Sequence, residues 1–406
     1  MKKTKDNKTH IGIYGRRNNG KSSLINTLAD QQIAIVSNVA GTTTDPVKKS
    51  FEILDFSPVI LIDTAGIDDM GELGSKRIEK TRNTISTIDL AILVIANNTF
   101  GQFEEELIRE FDYYKTPYFI IHNKSDIAPL QYQFKKELEK KYHTSVIDFS
   151  TLDPYNFEDL IELIKTTAPD ASKVVPSIIG DLLQAGDIVL LICPIDSEAP
   201  AGRMILPQVQ LIRDVLDNHC INIVLQQNEV SKFLSETGIK PKLAITDSQI
   251  FELADQLVPG DIPLTSFSTV LARFKGDFEN YIKGTPKISE LKEGDRVLIL
   301  ESCSHHVSCE DIGRFKLPAW LQKYTGKNLE FDIVAGLDTI QRPITDYAII
   351  IQCGGCMITP KQIRNRLLPA VRAGIPVTNY GLAIAYMHGI YDRAVAPFQK
   401  SVEDVS

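Results

Sequence analysis

Two groups of residues in this sequence have types and spacings that can do chemistry. The run Gly15-Arg16-Arg17-Asn18-Asn19-Gly20-Lys21-Ser22 has the spacing of a phosphate-binding loop. Its glycines permit the turn that brings the backbone N–H groups of Gly15, Asn18, Asn19 and Gly20 onto phosphate oxygens. Lys21 reaches the β- and γ-phosphates, Ser22 offers a hydroxyl to Mg²⁺, and Ser23 completes the nucleotide-contacting run. Further on, Asp63-Thr64-Ala65-Gly66 ends an apolar stretch. A carboxylate there can hold Mg²⁺ through water, and the Gly66 N–H can sense a γ-phosphate. Asn123-Lys124-Ser125-Asp126 follows another apolar stretch. Asp126 can accept hydrogen bonds from N1–H and the 2-amino group of guanine, which adenine lacks. A carboxylate left unpaired there would cost several kcal/mol in order of magnitude, so the expected nucleotide is GTP. Each motif alone says little, but in this order, each at a strand end, they form a nucleotide site.

The second group is cysteine-based. Cys303-Ser304-His305-His306 ends one apolar run and Cys353-Gly354-Gly355-Cys356 ends another. Parallel strands would bring both tips to one sheet edge. Three chemistries fit: tetrahedral zinc on Cys303, His305, Cys353 and Cys356, an iron–sulfur cluster on three cysteines with a variable fourth ligand, or a redox dithiol. His305 and His306 also read as surface-loop histidines. Cys309 reads as a packed or free thiol, and Cys193 and Cys220 as core.

The elements that must position these residues are those of an α/β protein. Ile11–Tyr14, Val59–Asp63, Leu90–Ala96 and Tyr118–His122 read as buried strands. Ser22–Leu28, Phe103–Tyr114 and Phe134–Lys141 read as helices between them. This P-loop domain, with a mostly parallel sheet, is expected over residues 1–168, and Thr166–Pro176 reads as a linker. A middle α/β domain is expected over 177–267. Its parallel strands are Ile188–Ile195, Ile221–Gln227, Lys242–Thr246 and Pro263–Phe267; its helices are Pro207–Asn218, Val230–Thr237 and Gln249–Leu257. A C-terminal α/β cysteine domain is expected over 268–406. It has a helix Thr269–Lys283, strands Val297–Ser302, Tyr347–Gln352 and Ile375–Asn379, and a helix Lys361–Ala373 that Thr359 and Pro360 begin. The chain has 406 residues and a formal charge of -8, which disfavours a bulk electrostatic nucleic-acid binder. Its apolar runs are too short to span a membrane, and its N-terminus lacks a signal peptide's apolar region. Six cysteines are too few for a disulfide scaffold, so the expected compartment is the cytoplasm.

The nucleotide segment resembles the TrmE-Era-like GTPases, whose switch reads GTTRD; here it reads Gly41-Thr42-Thr43-Thr44-Asp45. The resemblance implies that Thr43 is a Mg²⁺ ligand, with Thr42 and Thr44 adjacent competitors. It also implies that Ser150-Thr151 forms the fifth guanine-contacting loop. Ile67 stands where Ras-like enzymes carry a water-positioning glutamine. Asn18 fills the position that coordinates K⁺ in the TrmE branch, and a K⁺ there can stand in for an arginine finger. Asn18 also reads as an ordinary loop asparagine.

The whole chain resembles the HydF family of FeFe-hydrogenase maturation GTPases, whose cluster motif is CxH, a long spacer, then HCxxC. Here Cys303-Ser304-His305 is followed, after 46 residues, by Gln352-Cys353-Gly354-Gly355-Cys356. Glutamine is a poor iron ligand, so the resemblance implies a 4Fe-4S cluster on Cys303, Cys353 and Cys356. The fourth position is left to His305, a carboxylate, water or an incoming ligand. It also implies a homodimer formed through the middle domain, and a scaffold that takes a diiron precursor from the radical-SAM partners HydE and HydG and delivers it to apo FeFe-hydrogenase. Two other classes compete: a TrmE- or Era-like GTPase acting on tRNA or the ribosome with a structural zinc, and a GTP-regulated redox protein.

Overall fold

Leu90–Ala96 is apolar and buried at every position, as a strand covered on both faces must be. It lies inside the first of three sheets. The structure is a computed structural model that describes residues 9–30, 37–39, 47–52, 58–64, 84–169, 177–195, 204–302, 312–355 and 358–403. The chain divides into two compact units, Met1–Val175 and Pro176–Ser406.

The first unit holds strands β1 (Thr9–Tyr14), β2 (Ser37–Val39), β3 (Val47–Glu52), β4 (Pro58–Asp63), β5 (Leu90–Ala96), β6 (Tyr118–Asn123) and β7 (Val146–Asp148) in the order β2-β3-β4-β1-β5-β6-β7. Strand β3 runs antiparallel to both β2 and β4, and the remaining pairs are parallel. Helix Lys21–Asp30 follows β1 directly. Its Leu24 and Ile25 pack with Ile11, Ile13, Val94 and Ile121 on one face of the sheet. Helix Gln102–Tyr113 covers the other face with Leu107, Ile108 and Phe111. Helix Phe157–Thr167 takes in the first two residues of the expected linker. Residues 170–176 lie outside the described set.

The second unit contains two four-stranded, wholly parallel sheets. One has β8 (Ile188–Ile192), β9 (Ile221–Leu225), β10 (Leu243–Thr246) and β11 (Leu264–Ser266) in the order β11-β10-β8-β9. The other has β12 (Arg296–Leu300), β13 (Glu330–Val334), β14 (Ile349–Gln352) and β15 (Val377–Asn379) in the order β13-β12-β14-β15. The expected single helix Thr269–Lys283 is two helices, Phe267–Lys275 and Phe278–Gly284. Gly276 ends the first, and the Asp277 side chain caps the second. Helix Phe267–Lys275 serves both cores, with Phe267 and Val270 in the first and Ala272 in the second.

The Phe111 ring is fully buried, edge-on to Tyr14 with centroids 5.2 Å apart. Phe111→Ala removes that ring from a closed core, so it is expected to destabilise the first unit by about 3–5 kcal/mol. Urea denaturation checks this: the transition of the first unit moves to lower denaturant while that of the second stays put.

Candidate functional site

The loop after β1 is held from three directions. Asn19 Nδ2 donates to the Val94 carbonyl on β5 at 3.0 Å, and Asn123 Nδ2, at the end of β6, donates to the Asn19 carbonyl at 2.9 Å. Gly20 has φ +88° and lies against the Asn123 amide, so a Cβ there would collide with it. Lys21 is buried and donates to the Gly15 and Arg16 carbonyls, each at 2.8 Å. An ammonium has three donors and can exchange these carbonyls for phosphate oxygens. Asn18 is exposed, with φ +62° in the left-handed region that asparagine tolerates. Ser23 is exposed on the first helical turn.

Ser22 Oγ donates to Asp63 Oδ2 at 2.8 Å, so the hydroxyl and the β4 carboxylate expected at the metal share one spot. Hard oxygen donors of this kind suit Mg²⁺, which keeps several waters. The neighbouring Thr64 hydroxyl donates to the Ile13 carbonyl and ties β4 to β1. Thr43, with Thr42 and Thr44, and Gly66 and Ile67 lie outside the described residues.

At the end of β6, Lys124 has φ +65° and its carbonyl accepts from Ile127 and Ala128 N–H, which makes a tight turn. Asp126 is exposed, and its Oδ1 accepts from the buried Ser150 Oγ at 2.6 Å. Ser150 Oγ also accepts the Leu152 and Asp153 N–H groups, while Thr151 is half-buried. Asp126 and Ser150 therefore stand together, and Thr151 follows Ser150 in the chain.

Sequence reasoning missed two supports. Arg16 forms a fork-to-fork pair with Glu104, Nε to Oε1 at 2.7 Å and Nη2 to Oε2 at 2.8 Å. Glu104 is fully buried and also accepts the Gly101 N–H, so the phosphate loop is anchored to helix Gln102–Tyr113. His122 is also fully buried; its Nε2 accepts the Asn98 N–H at 3.1 Å, which leaves the proton on Nδ1 for Asp148 Oδ1 at 2.8 Å. No spacing rule marks either pair, because the partners lie 88 and 26 residues apart.

The cysteine edge lies in the second unit. Strands β12 and β14 pair with Leu300 opposite Gln352, and Cys353 N–H donates to the Leu300 carbonyl at 2.9 Å. Cys353 is half-buried, with its Sγ 2.7 Å from Ser302 Oγ. Ser302 immediately precedes Cys303 in the chain. Gly355 has φ +71°, and a Cβ there would collide with Ile363. The buried Lys275 donates to the Gly355 carbonyl at 2.8 Å and the Ile358 carbonyl at 3.4 Å, spanning the loop. Arg366 donates to the Glu301 and Val334 carbonyls at 2.6 and 3.0 Å, and burial pulls its guanidinium down to about 10. Thr359 caps helix Pro360–Arg372 through a reciprocal pair with Gln362. Cys303, His305, His306, Cys309 and Cys356 lie outside the described residues. Among the described residues no three metal-binding side chains converge. A half-buried thiol on a glycine loop, beside the residue that leads into Cys303, fits a thiolate ligand. Cys220 is core, and the half-buried Cys193 packs against the same core with its thiol pushed up to about 12 by burial and by Asp247.

A lysine-bearing loop between β1 and a helix, on a mostly parallel sheet, defines a P-loop nucleotide-binding domain, and the family match makes it a GTPase. Residues 10–124 match the model of the 50S ribosome-binding GTPases. Residues 178–276 match the hydrogen maturase F dimerization domain and residues 279–397 its tetramerization domain. These last two models together take in more than half of the chain, which belongs to the hydrogen maturase F (HydF) family. Similar solved structures include the G domain of the T. maritima FeoB iron transporter, at 22% identity over 40% of this chain and 99% of that one, with a TM-score of 0.32. They also include Aquifex aeolicus Era bound to GDP and AlF4⁻, at 18% over 56% and 98%, TM-score 0.34. The FeoB G domain from Methanococcus jannaschii matches at 19% over 39% and 97%, TM-score 0.31. The chain is thus a hydrogenase-maturation GTPase with domains for oligomerisation. No helix among its described residues is long and apolar enough to cross a membrane.

His122 carries the β6 strand into the Asn123 turn, so its loss should act on nucleotide binding. His122→Ala leaves the Asn98 N–H and the Asp148 carboxylate without their shared partner. The expected result is GTP affinity weakened about tenfold, equal to about 1.4 kcal/mol, with kcat changed much less. Fluorescent-nucleotide titration beside steady-state hydrolysis measures that split.

Proposed function

We propose that this GTPase is a scaffold that holds a 4Fe-4S cluster on Cys303, Cys353 and Cys356 and delivers a diiron precursor to apo FeFe-hydrogenase. What carries the reading is the union of the HydF domains with a half-buried Cys353 against Ser302, the residue that precedes Cys303 in the chain. The fourth cluster position is open or held by His305. An open position suits a carrier, because a fourth cysteine would occupy the place of a bridging ligand. HydE and HydG would supply the cargo, the protein would work as a homodimer, and its sparse cysteines favour the cytoplasm.

At the nucleotide, Gly15, Asn18, Asn19, Gly20 and Ser23 line the phosphates, and Lys21 moves from the Gly15 and Arg16 carbonyls to the β- and γ-oxygens. Ser22 and Thr43, with Asp63 behind them, would hold Mg²⁺, which supplies positive charge against the phosphates. Gly66 reports the γ-phosphate. Asn123, Lys124, Asp126, Ser150 and Thr151 select guanine, with Ser150 holding Asp126 in place. Ile67 has no group to orient water, so Asn18 would hold a K⁺ that offsets the developing charge.

Two experiments test this. GTP hydrolysis is expected to run faster in K⁺ than in Na⁺ at equal ionic strength, and Asn18→Ala should remove most of the difference; equal rates would leave Asn18 a loop residue. After anaerobic reconstitution, iron and sulfide analysis should find one 4Fe-4S cluster, lost in Cys303→Ala, Cys353→Ala and Cys356→Ala but kept in Cys309→Ala. GTP hydrolysis should survive all four, since the phosphate loop has its own core. Retained zinc with no iron would refute the carrier.

A further inference from the structure

Gln352 stands one residue before Cys353, where the family motif has a histidine. Its side chain is fully buried. Nε2 donates to Ser302 Oγ at 2.9 Å and to the Cys353 carbonyl at 3.2 Å, and lies 3.8 Å from Cys353 Sγ. Ser302 is itself buried, and its Oγ receives both the amide proton and the Cys353 thiol proton. Two polar side chains from neighbouring strand ends thus converge on one sulfur. The Gln352 main chain is pinned as well, since its carbonyl accepts from Asn379 Nδ2 on β15 at 3.1 Å.

Metal binding takes the proton from Cys353, because the thiolate is the ligand. The sulfur then changes from donor to acceptor. Ser302, relieved of the thiol proton, can turn its own O–H onto the sulfur, and the Gln352 Nε2, 3.8 Å away, can share with it one of the two N–H groups that serve Ser302 Oγ and the Cys353 carbonyl. Both donors remain out of water, where a hydrogen bond to a charged atom counts for more. Hydrogen bonds to cluster sulfurs favour the more negative, reduced state and raise the reduction potential.

We propose that Gln352, together with Ser302, is a non-ligating donor to the Cys353 thiolate and sets the reduction potential of the cluster held there. This rests on the cluster reading above. Gln352 is a positioning residue: it touches the ligand sulfur and leaves the fourth iron position open.

The test is an EPR-monitored redox titration of the full-length protein after anaerobic reconstitution, with iron and sulfide quantified. Gln352→Leu and Ser302→Ala should each keep their iron and lower the midpoint potential. The expected change is about tenfold in the oxidised-to-reduced ratio at fixed applied potential, about 59 mV for one electron. Added imidazole should perturb the reduced spectrum equally in wild type and Gln352→Leu. Ser302→Ala is the smaller change and decides the matter if Gln352→Leu does not fold. Unchanged midpoints with full iron would overturn the proposal and leave the cluster reading intact. So would a wild-type spectrum indifferent to imidazole that becomes sensitive in Gln352→Leu, since Gln352 would then be a ligand. Wild-type protein that retains zinc and no iron would overturn both.

Discussion

Parallel strand pairing is the constraint on which both sites depend. A parallel ladder sends every carboxyl end to one edge, whatever lies between the strands in sequence. In the first sheet, Ile13 stands opposite both Asp63 and Ile92, and Ala96 stands opposite Asn123. The phosphate loop, the metal-side carboxylate and the guanine turn therefore meet without further guidance. In the third sheet, Leu300 stands opposite Gln352, and Gln352 opposite Asn379. Ser302 and Cys353, 51 residues apart, touch for the same reason. Register is held because these strands are buried on both faces. A slip of one residue would turn every side chain to the opposite face and forfeit the packing.

What the sequence made legible follows from that burial. Leu90–Ala96 and Val230–Thr237 lie where their patterns put them, because a wholly apolar strand and an amphipathic helix ending at Gly238 have few alternatives. Strands β7 and β13 were not legible. Val146–Asp148 has only three residues, and Glu330–Val334 is an edge strand whose first and fourth residues are exposed. The break at Gly276-Asp277 was hidden because the apolar pattern runs through it, and only the cap distinguishes two helices from one. At the nucleotide site the motif residues were readable because each sits beside its neighbours in the chain. Their buttresses were not: Glu104 under Arg16, Asp148 under His122 and Lys275 under Gly355 are pairings made only by the folded backbone.

Three cations at the two site edges share one physical logic. The carboxyl edge of a parallel sheet presents carbonyls and turns that need donors. Lys21 serves the Gly15 and Arg16 carbonyls, Arg366 serves Glu301 and Val334, and Lys275 serves Gly355 and Ile358. Lys21 differs from the other two in its setting: it opens the helix that follows the loop, where phosphate oxygens can replace its carbonyls. Arg366 and Lys275 come from helices packed against the edge and add to main-chain bonds already made there, since the Val334 carbonyl also accepts Glu301 N–H and the Gly355 carbonyl also accepts Ile358 N–H. One cation is set to exchange partners, whereas the other two fix the geometry on which a ligand loop relies.

The second unit shows how far this fixing extends. Helix Phe267–Lys275 begins on β11, packs Phe267 and Val270 into the core of the β8–β11 sheet, and packs Ala272 into the core of the β12–β15 sheet. Its Ser268 hydroxyl accepts from Gly381 N–H and donates to Asn379, while Lys275 at its other end holds the cysteine loop. The chain's last helix returns the connection, with Ala394 and Phe398 in the cores beside the β8–β11 sheet and Thr265 Oγ1 donating to the Ala394 carbonyl. Arg393 clamps it to the Asp255, Val258 and Pro259 carbonyls. Close-packed cores transmit displacement rather than absorb it. A shift of helix Phe267–Lys275, from whichever sheet it starts, must therefore be felt at Gly355, whose carbonyl Lys275 holds, two residues after Cys353.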